Sequence, residues 1–392
     1  MTTHARRTVV LVCMADSVHT ARWIGQFRDQ PVDFVIFPST PNRRLHALIA
    51  TWMGAPVANG MTIRVVPFAG RLSIPLWGFD LILKDHLRGW LLRRVLRRVR
   101  PDYLHALELN HGGYIASRAL DRLESAPPFI ATNWGSDIFW FQRYPRHLVR
   151  IKRLLSQASF YSAECQRDVD LAISYGFTGR AFGVFPSAGG FSAEQLNRPL
   201  EPASSRRTIA VKGYESFVGR ASIALRALEQ AREHLAGYRI VIFSANLKTQ
   251  RLAARLARKT GLDITWHPKK SLSHQQMMDL FASARVYLGV SLSDGISTSL
   301  LESMVNGAFP IQTNTSCASE WITQGVSGFA VDPGDTRSIG DDLTRALIEA
   351  QLVDAAAGIN SATARARLTD DRGRANSFEF YDLRSSSDIN SA

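Results

Sequence analysis

The sequence predicts an α/β protein built from two doubly wound, Rossmann-like domains, and three observations carry that prediction. Thr8 to Met14 is an unbroken apolar, β-branched run, the pattern of a strand buried on both faces of a parallel sheet. From Thr208 to Ala284, short apolar runs at 208–211, 239–244 and 264–267 alternate with helical periodicities at 222–234, 250–259 and 273–284. Between these regions, Asn197 to Arg206 is polar and contains Pro199 and Pro202, which marks a linker and places a boundary near residue 195.

Composition sets the outer limits. A chain of 392 residues, 45% hydrophobic and 21% charged, can bury two ordinary cores. Its three cysteines, Cys13, Cys165 and Cys317, are widely spaced and form no metal-ligand cluster, so a reducing cytoplasm is the expected setting. No apolar run reaches the length of a membrane span, and Val9 to Met14 is too short for a signal-peptide core. The formal net charge of +13 favours anionic partners. Nucleic acid is not expected among them, because no basic groove with interleaved aromatics is visible.

In chain order, the first strand runs through the loop Ala15-Asp16-Ser17 into a helix over 18–27, with no G-x-G-x-x-G fingerprint of dinucleotide binding. Strands follow at 32–37 and 62–66. Leu81 to Val99 reads as one helix with Leu87, Leu91 and Val95 on one side and Arg88, Arg93, Arg94, Arg97 and Arg98 on the other. Two readings stay open for this stretch. It is a crossover helix with a solvated basic face, or residues 84–100 meet an anionic membrane surface. Further strands are expected at 103–105, at 129–133 and at 160–163. Asp168-Val169-Asp170 is formally a D-x-D, but on a helix the two carboxylates point apart, so no metal site is expected there.

The densest chemistry lies in Ser291 to Pro310, after an apolar strand at 286–290. Asp294 sits in a turn with Gly295, and Glu302 lies within the helix that follows. The helix-start N–H groups of Ser297, Thr298 and Ser299 suit a phosphate, and two carboxylates around them suit a diphosphate flanked by sugars. Glu302 can take both ribose hydroxyls, and Asp294 those of a transferable sugar. The plainer alternative is a capped helix with one acid on its solvent face.

D-G-x-S-x-S-L-L-E-S-M-x-x-G-x-x-P resembles the E-x7-E signature of retaining glycosyltransferases of family 4, with Asp294 for the first Glu. Residues 319–322 and 325–329 resemble its continuation. Pro101-Asp102-Tyr103-Leu104-His105 is similar to the family's P-D-x-x-H strand end, and Trp134-Gly135-Ser136-Asp137 to its H-G-S-D loop, with Trp134 replacing the histidine. Ser17-Val18-His19 matches an S-x-H of the first loop. Lys212-Gly213 and Gly219-Arg220 resemble, in reversed order, a G-R…K-G pair that clamps the donor diphosphate.

The resemblance implies a GT-B fold with the two domains facing a cleft, over 1–195 and 196–360, and residues 361–392 returning as a helix to the first domain before a disordered tail. It implies retaining, metal-independent transfer from a UDP- or GDP-sugar to a glycan or glycolipid acceptor of the cell envelope, with no cofactor. Asp294, Lys212, His105 and Asp137 are the expected catalytic residues. Glu302, Lys212, Arg220, Gly295, Ser297, Thr298 and Ser299 are expected on the donor, and Ser17, His19 and Trp134 on the acceptor. A GT-B epimerase and a non-catalytic sugar-nucleotide or membrane-binding module are the alternatives. The protein is expected in the cytoplasm, at the inner face of the plasma membrane if the arginines meet lipid.

Overall fold

The structure is a computed structural model, and it describes residues 6–41, 44–55, 57–66, 73–83, 85–187 and 189–383. The expected disordered tail lies outside these residues. The chain divides into two units, 1–190 with 371–392, and 191–370.

In the first unit the strands are β1 (Arg7–Cys13), β2 (Val32–Pro38), β3 (Thr62–Val65), β4 (Tyr103–Ala106), β5 (Phe129–Thr132), β6 (Phe160–Ser162) and β7 (Arg180–Ala181). They form one parallel sheet in the order β3-β2-β1-β4-β5-β6-β7. The helices are α1 (Val18–Gly25), α2 (Ala47–Gly54), α3 (Ser73–Ile82), α4 (His86–Val99), α5 (Tyr114–Leu120), α6 (Pro145–Gln157) and α7 (Gln166–Ser174). β1 is apolar throughout because both of its faces are covered. Val10 and Val12 pack into the core beneath α4, α5 and α6, while Val9 and Leu11 face the core formed with α1 and the C-terminal aromatics.

The single helix expected over 81–99 is two helices. Asp80, near the end of α3, accepts from the backbone N–H of Leu87 at 2.8 Å and of Arg88, so its carboxylate serves the open N-terminus of α4. Asp85, with φ 66°, turns the chain between them. Ion pairs from Arg88 to Asp80 and Asp85 lock the corner. The arginine face is therefore smaller than periodicity implies. Arg88 is buried, and Arg93 donates to the carbonyls of Ala119 and Arg118 at 3.0 and 2.9 Å.

The second unit contains α8 (Ala193–Leu196), β8 (Thr208–Lys212), α9 (Ala221–Gln230), β9 (Arg239–Ala245), α10 (Leu247–Thr260), β10 (Asp263–Pro268), α11 (His274–Ser283), β11 (Ala284–Gly289), α12 (Thr298–Val305), β12 (Phe309–Thr313), β13 (Phe329–Val331), α13 (Thr336–Ile348) and α14 (Ala350–Arg367). Its parallel sheet runs β10-β9-β8-β11-β12-β13, and strand order reverses between β8 and β11. Side chains alternate across β8, with Ile209 and Val211 in one core and Ala210 in the other. Asn246 caps α10 and a Ser273–Gln276 capping box starts α11.

α14 continues to Arg367, and Phe191 closes the unit by exchanging backbone bonds with Leu368 and Asp370. α15 (Asp370–Phe378) then leads Phe378, Phe380 and Tyr381 into the core of the first unit. No helix among the described residues is long and apolar enough to cross a membrane.

Candidate functional site

In an open parallel sheet, ligands bind beyond the carboxyl ends of the strands, where strand order reverses. In the second unit that point lies between β8 and β11, and Lys212 is the last residue of β8. Its ammonium donates to Ser297 Oγ at 3.0 Å and lies 3.5 Å from the Asp294 carboxylate. Burial pulls the lysine pKa down, but Asp294, Tyr287 and Glu302 outweigh it, and the net shift is upward. Lys212 is a firmly charged cation.

Asp294 is held in the turn by its own backbone, donating to the Thr315 carbonyl, while its Oδ1 accepts from the N–H of Gly295 at 3.1 Å. Ser297 is the N-cap of α12 but makes no side-chain cap, because its hydroxyl accepts from Lys212 instead. Thr298 and Ser299 are the first helical residues, whose N–H groups have no intrahelical acceptor. Glu302, in the second turn, is buried with a carboxylate oxygen 3.7 Å from His274 Nδ1. One cation, two carboxylates and a helix N-terminus thus lie at the switch point.

A polar layer lies beneath them. Tyr287 donates to Gln312 Oε1 at 2.8 Å and lies 3.4 Å from Ser297 Oγ. Gln312 in turn donates to Ser316 Oγ at 3.1 Å, and Ser316 meets Ser291 at 2.8 Å. The layer needs Gly289, where a Cβ would stand 2.3 Å from both Gln312 Oε1 and Tyr287 Oη.

Arg220 does not join this group. Its guanidinium donates to the carbonyls of Ser216 at 2.5 Å, Gly219 at 2.8 Å and Phe217 at 3.3 Å, so three of its five N–H donors are held by the loop. That loop is clasped to the strand end by Arg220 N–H to Val290 and Leu292 N–H to Val218. Glu215 anchors its other side through Ser222 and Lys248.

In the first unit, Ser17 caps α1 by accepting from the N–H of His19 at 3.2 Å. His19 is exposed in the first turn, with its ring 5.9 Å from that of Trp134. The structure therefore groups these expected acceptor residues. The Trp134 indole N–H is buried and meets no hydrogen-bond acceptor among the described residues.

Asp137 ties two loops together. It accepts from the N–H of Leu109 at 2.8 Å and of Trp134 at 3.3 Å, and from the Asn110 amide at 2.9 Å. Burial and the Glu108 charge push its carboxyl up to about 8 against the pull of the two backbone N–H groups. Asp168 is buried against Asn133 and Arg167, while Asp170 accepts from Gln166, so this pair diverges along α7.

His105 is the main departure from the expected site. Rather than opening at the strand end, it is fully buried, with its ring nitrogens 2.7 Å from Tyr381 Oη and 2.7 Å from Thr132 Oγ1. Trp23 Nε1 donates to the same tyrosine oxygen at 3.2 Å. Every group is satisfied if Tyr381 donates to Nδ1 and Nε2–H donates to Thr132, which makes the imidazole neutral. Burial pulls its pKa down to about 3. His105 is a core residue.

Sequence reasoning passed over His274, Tyr287 and Gln312. The S-x-x-Q capping pattern at Ser273 signals a helix start with His274 at its first position. The other two had no local signal, since their role exists only where β11 and β12 pair.

Residues 202–359 match the family described as Glycosyl transferases group 1, and residues 8–165 match Glycosyl transferase 4-like. No curated protein matches the sequence significantly. Among solved structures, a lipopolysaccharide outer core galactosyltransferase, WaaB, is similar with a TM-score of 0.67 at 14% identity, over 94% of this chain and 97% of that one. The Anabaena protein HepE in complex with UDP-glucose gives 0.68 at 12%, over 96% and 99%. Sucrose-phosphate synthase from Thermosynechococcus elongatus gives 0.68 at 13%, over 99% and 100%. At these identities the likeness is one of fold, the GT-B fold.

Proposed function

We propose, from the premise that this chain belongs to the group 1 glycosyltransferases, that it moves a sugar from a nucleoside-diphosphate sugar to a glycan or glycolipid with retention at the anomeric carbon. The observation that carries this reading is Lys212 standing between Asp294 and Ser297 at the switch point, with Glu302 in α12, the helix that Ser297 precedes.

In this reading Glu302 accepts the two ribose hydroxyls and the N–H groups of Thr298 and Ser299 take phosphate oxygens. Asp294 orients hydroxyls of the sugar. As the bond from the anomeric carbon to the diphosphate oxygen breaks, the acceptor oxygen bonds that carbon on the same face and its proton passes to the departing diphosphate. Lys212 stabilises the charge that builds on that leaving group, turning from Asp294 toward it. The scheme asks the side chains for orientation and charge, and it assigns no step to a metal. Trp134, with an unmet indole N–H, and His19 are the candidates for contact with an acceptor sugar.

A UDP-sugar is the first donor to try, because HepE is solved with UDP-glucose. An envelope glycolipid acceptor and a cytoplasmic site of action complete the proposal, in keeping with the lipopolysaccharide galactosyltransferase among the structural relatives. The test is a thermal-shift panel of UDP, GDP, ADP and TDP on wild type and Glu302→Ala, since a ligand of the folded state raises the melting temperature. One diphosphate should shift wild type and leave the variant unmoved. No shift with any of them, and no release of nucleoside diphosphate from labelled donors, would overturn the reading. Donor conversion without any acceptor would instead identify an epimerase.

A further inference from the structure

α3 exposes large apolar side chains to water. Ile74, Phe79, Ile82 and Leu83 are exposed, Phe79 at 67% and Ile82 at 79%, and Trp90 on the adjoining α4 adds another large apolar surface at 45%. Single exposed apolar residues are ordinary, but a run of them along one short helix marks a surface that something covers. The charge that its own segment exposes is one-sided. Asp80 and Asp85 are the only carboxylates from 73 to 100, and both are buried in ion pairs, Asp80 with Arg88 and Asp85 with Arg88 and Arg150. The exposed charges of α4 and its end are all cations, Arg94, Arg97, Arg98 and Arg100, and Arg94 lies 4.8 Å from the centre of the Trp90 ring.

We propose that α3 and Trp90 form a membrane-docking surface for an anionic lipid bilayer. α3 lies in the interface with Phe79 and Ile82 toward the acyl boundary, and Arg94, Arg97, Arg98 and Arg100 meet the headgroup phosphates. The corner built by Asp80, Asp85 and Arg88 makes this possible, because it withdraws every negative charge of the segment and fixes α3 against α4. An apolar helix beside an excess of cations, with Glu124 the one acidic side chain that shares a surface depression with Arg97 and Arg100, matches a negatively charged bilayer better than a protein partner of mixed charge, and tryptophan and arginine are the side chains that suit a headgroup layer. The apolar contribution comes from α3, which the arginine periodicity of α4 does not reveal.

The test is co-sedimentation of the full chain with vesicles of phosphatidylcholine containing roughly 40% phosphatidylglycerol, beside pure phosphatidylcholine, at about 150 mM salt. Wild type should partition at least about tenfold more into the anionic vesicles. The double variant Phe79→Ser/Ile82→Ser should lose most of that partitioning at every salt concentration, and Arg97→Glu/Arg98→Glu should lose it most at low salt. Wild-type protein left in the supernatant, or a serine variant that binds as well as wild type, would overturn the proposal. So would a wild-type dimer that the serine variant dissolves to a monomer without vesicle binding, which would identify a second copy as the occupant. All variants should keep the wild-type melting temperature, as surface changes do. The proposal does not depend on the donor site, so failure of the nucleotide panel would leave the vesicle result standing.

Discussion

Lys212 donates to Ser297 Oγ across 85 residues of chain, joining the end of β8 to the first residue before α12 at 3.0 Å. The contact gives the lysine and the carboxylates separable duties, since Lys212 faces the helix start while Glu302 lies further along it. Glu302→Ala should raise the dissociation constant for the donor nucleotide about tenfold or more, as expected for losing charged hydrogen bonds. Lys212→Ala should chiefly lower turnover, by about a hundredfold. Titration calorimetry with the nucleoside diphosphate and initial rates with saturating donor separate the two. Equal losses in binding and turnover for both variants would contradict the division.

The layer beneath the site gives a second test. A Cβ at Gly289 would collide with Tyr287 and Gln312, whose hydrogen bond in turn places the tyrosine beside Ser297. Gly289→Ala should destabilise the second unit by about 1–3 kcal/mol, as overpacking does, and weaken nucleotide binding with it. A wild-type melting temperature and affinity would show that the layer yields freely.

The strands were readable because burial on both faces writes continuous apolar runs, and the run expected at 32–37 falls within β2. The Asp294–Glu302 region was readable because its ligand groups are close in sequence, on one turn and one helix. What stayed hidden depended on distant partners. Nothing local shows that Asp80 will cap α4 and divide the helix, that Arg220 will turn to its own loop, or that His105 will meet Tyr381 from the far end of the chain. A histidine at a strand end has the same sequence context whether the space above it is open or filled by C-terminal aromatics.

Burial of neutral His105 has a consequence in pH. Its folded pKa is near 3 while the unfolded value is about 6.5, so the unfolded chain binds the extra proton between them. The stability from this group is complete above about pH 6.5 and falls as the pH drops, by about 1.4 kcal/mol per pH unit. Asp137, raised to about 8, has the opposite sign and loses stability as the pH rises toward that value. The two slopes oppose each other between about pH 4 and 6.5. Urea titrations at several pH values should show that His105→Asn removes the acid-side loss and Asp137→Asn the loss above neutrality. Parallel curves for a variant and wild type would refute the assignment for that residue.

The C-terminal segment should be a structural part of the first unit. Phe380 stacks on Phe182 with ring centres 4.0 Å apart and planes 12° from parallel, and Tyr381 is fully buried against Trp23 and His105. Removing the phenyl ring leaves a cavity between Phe182, Trp23 and His105, so Phe380→Ala should cost about 3–5 kcal/mol. A chain ending at residue 370 loses the whole cluster and uncovers Trp23, Phe27 and Phe34. Limited proteolysis should then cut rapidly within 6–190 while a fragment over 191–370, whose closing bonds between Phe191, Leu368 and Asp370 are retained, survives. If the shortened chain resists protease over both units and melts like wild type, the aromatic cluster is a passive cover and the stability of the first unit resides in its sheet.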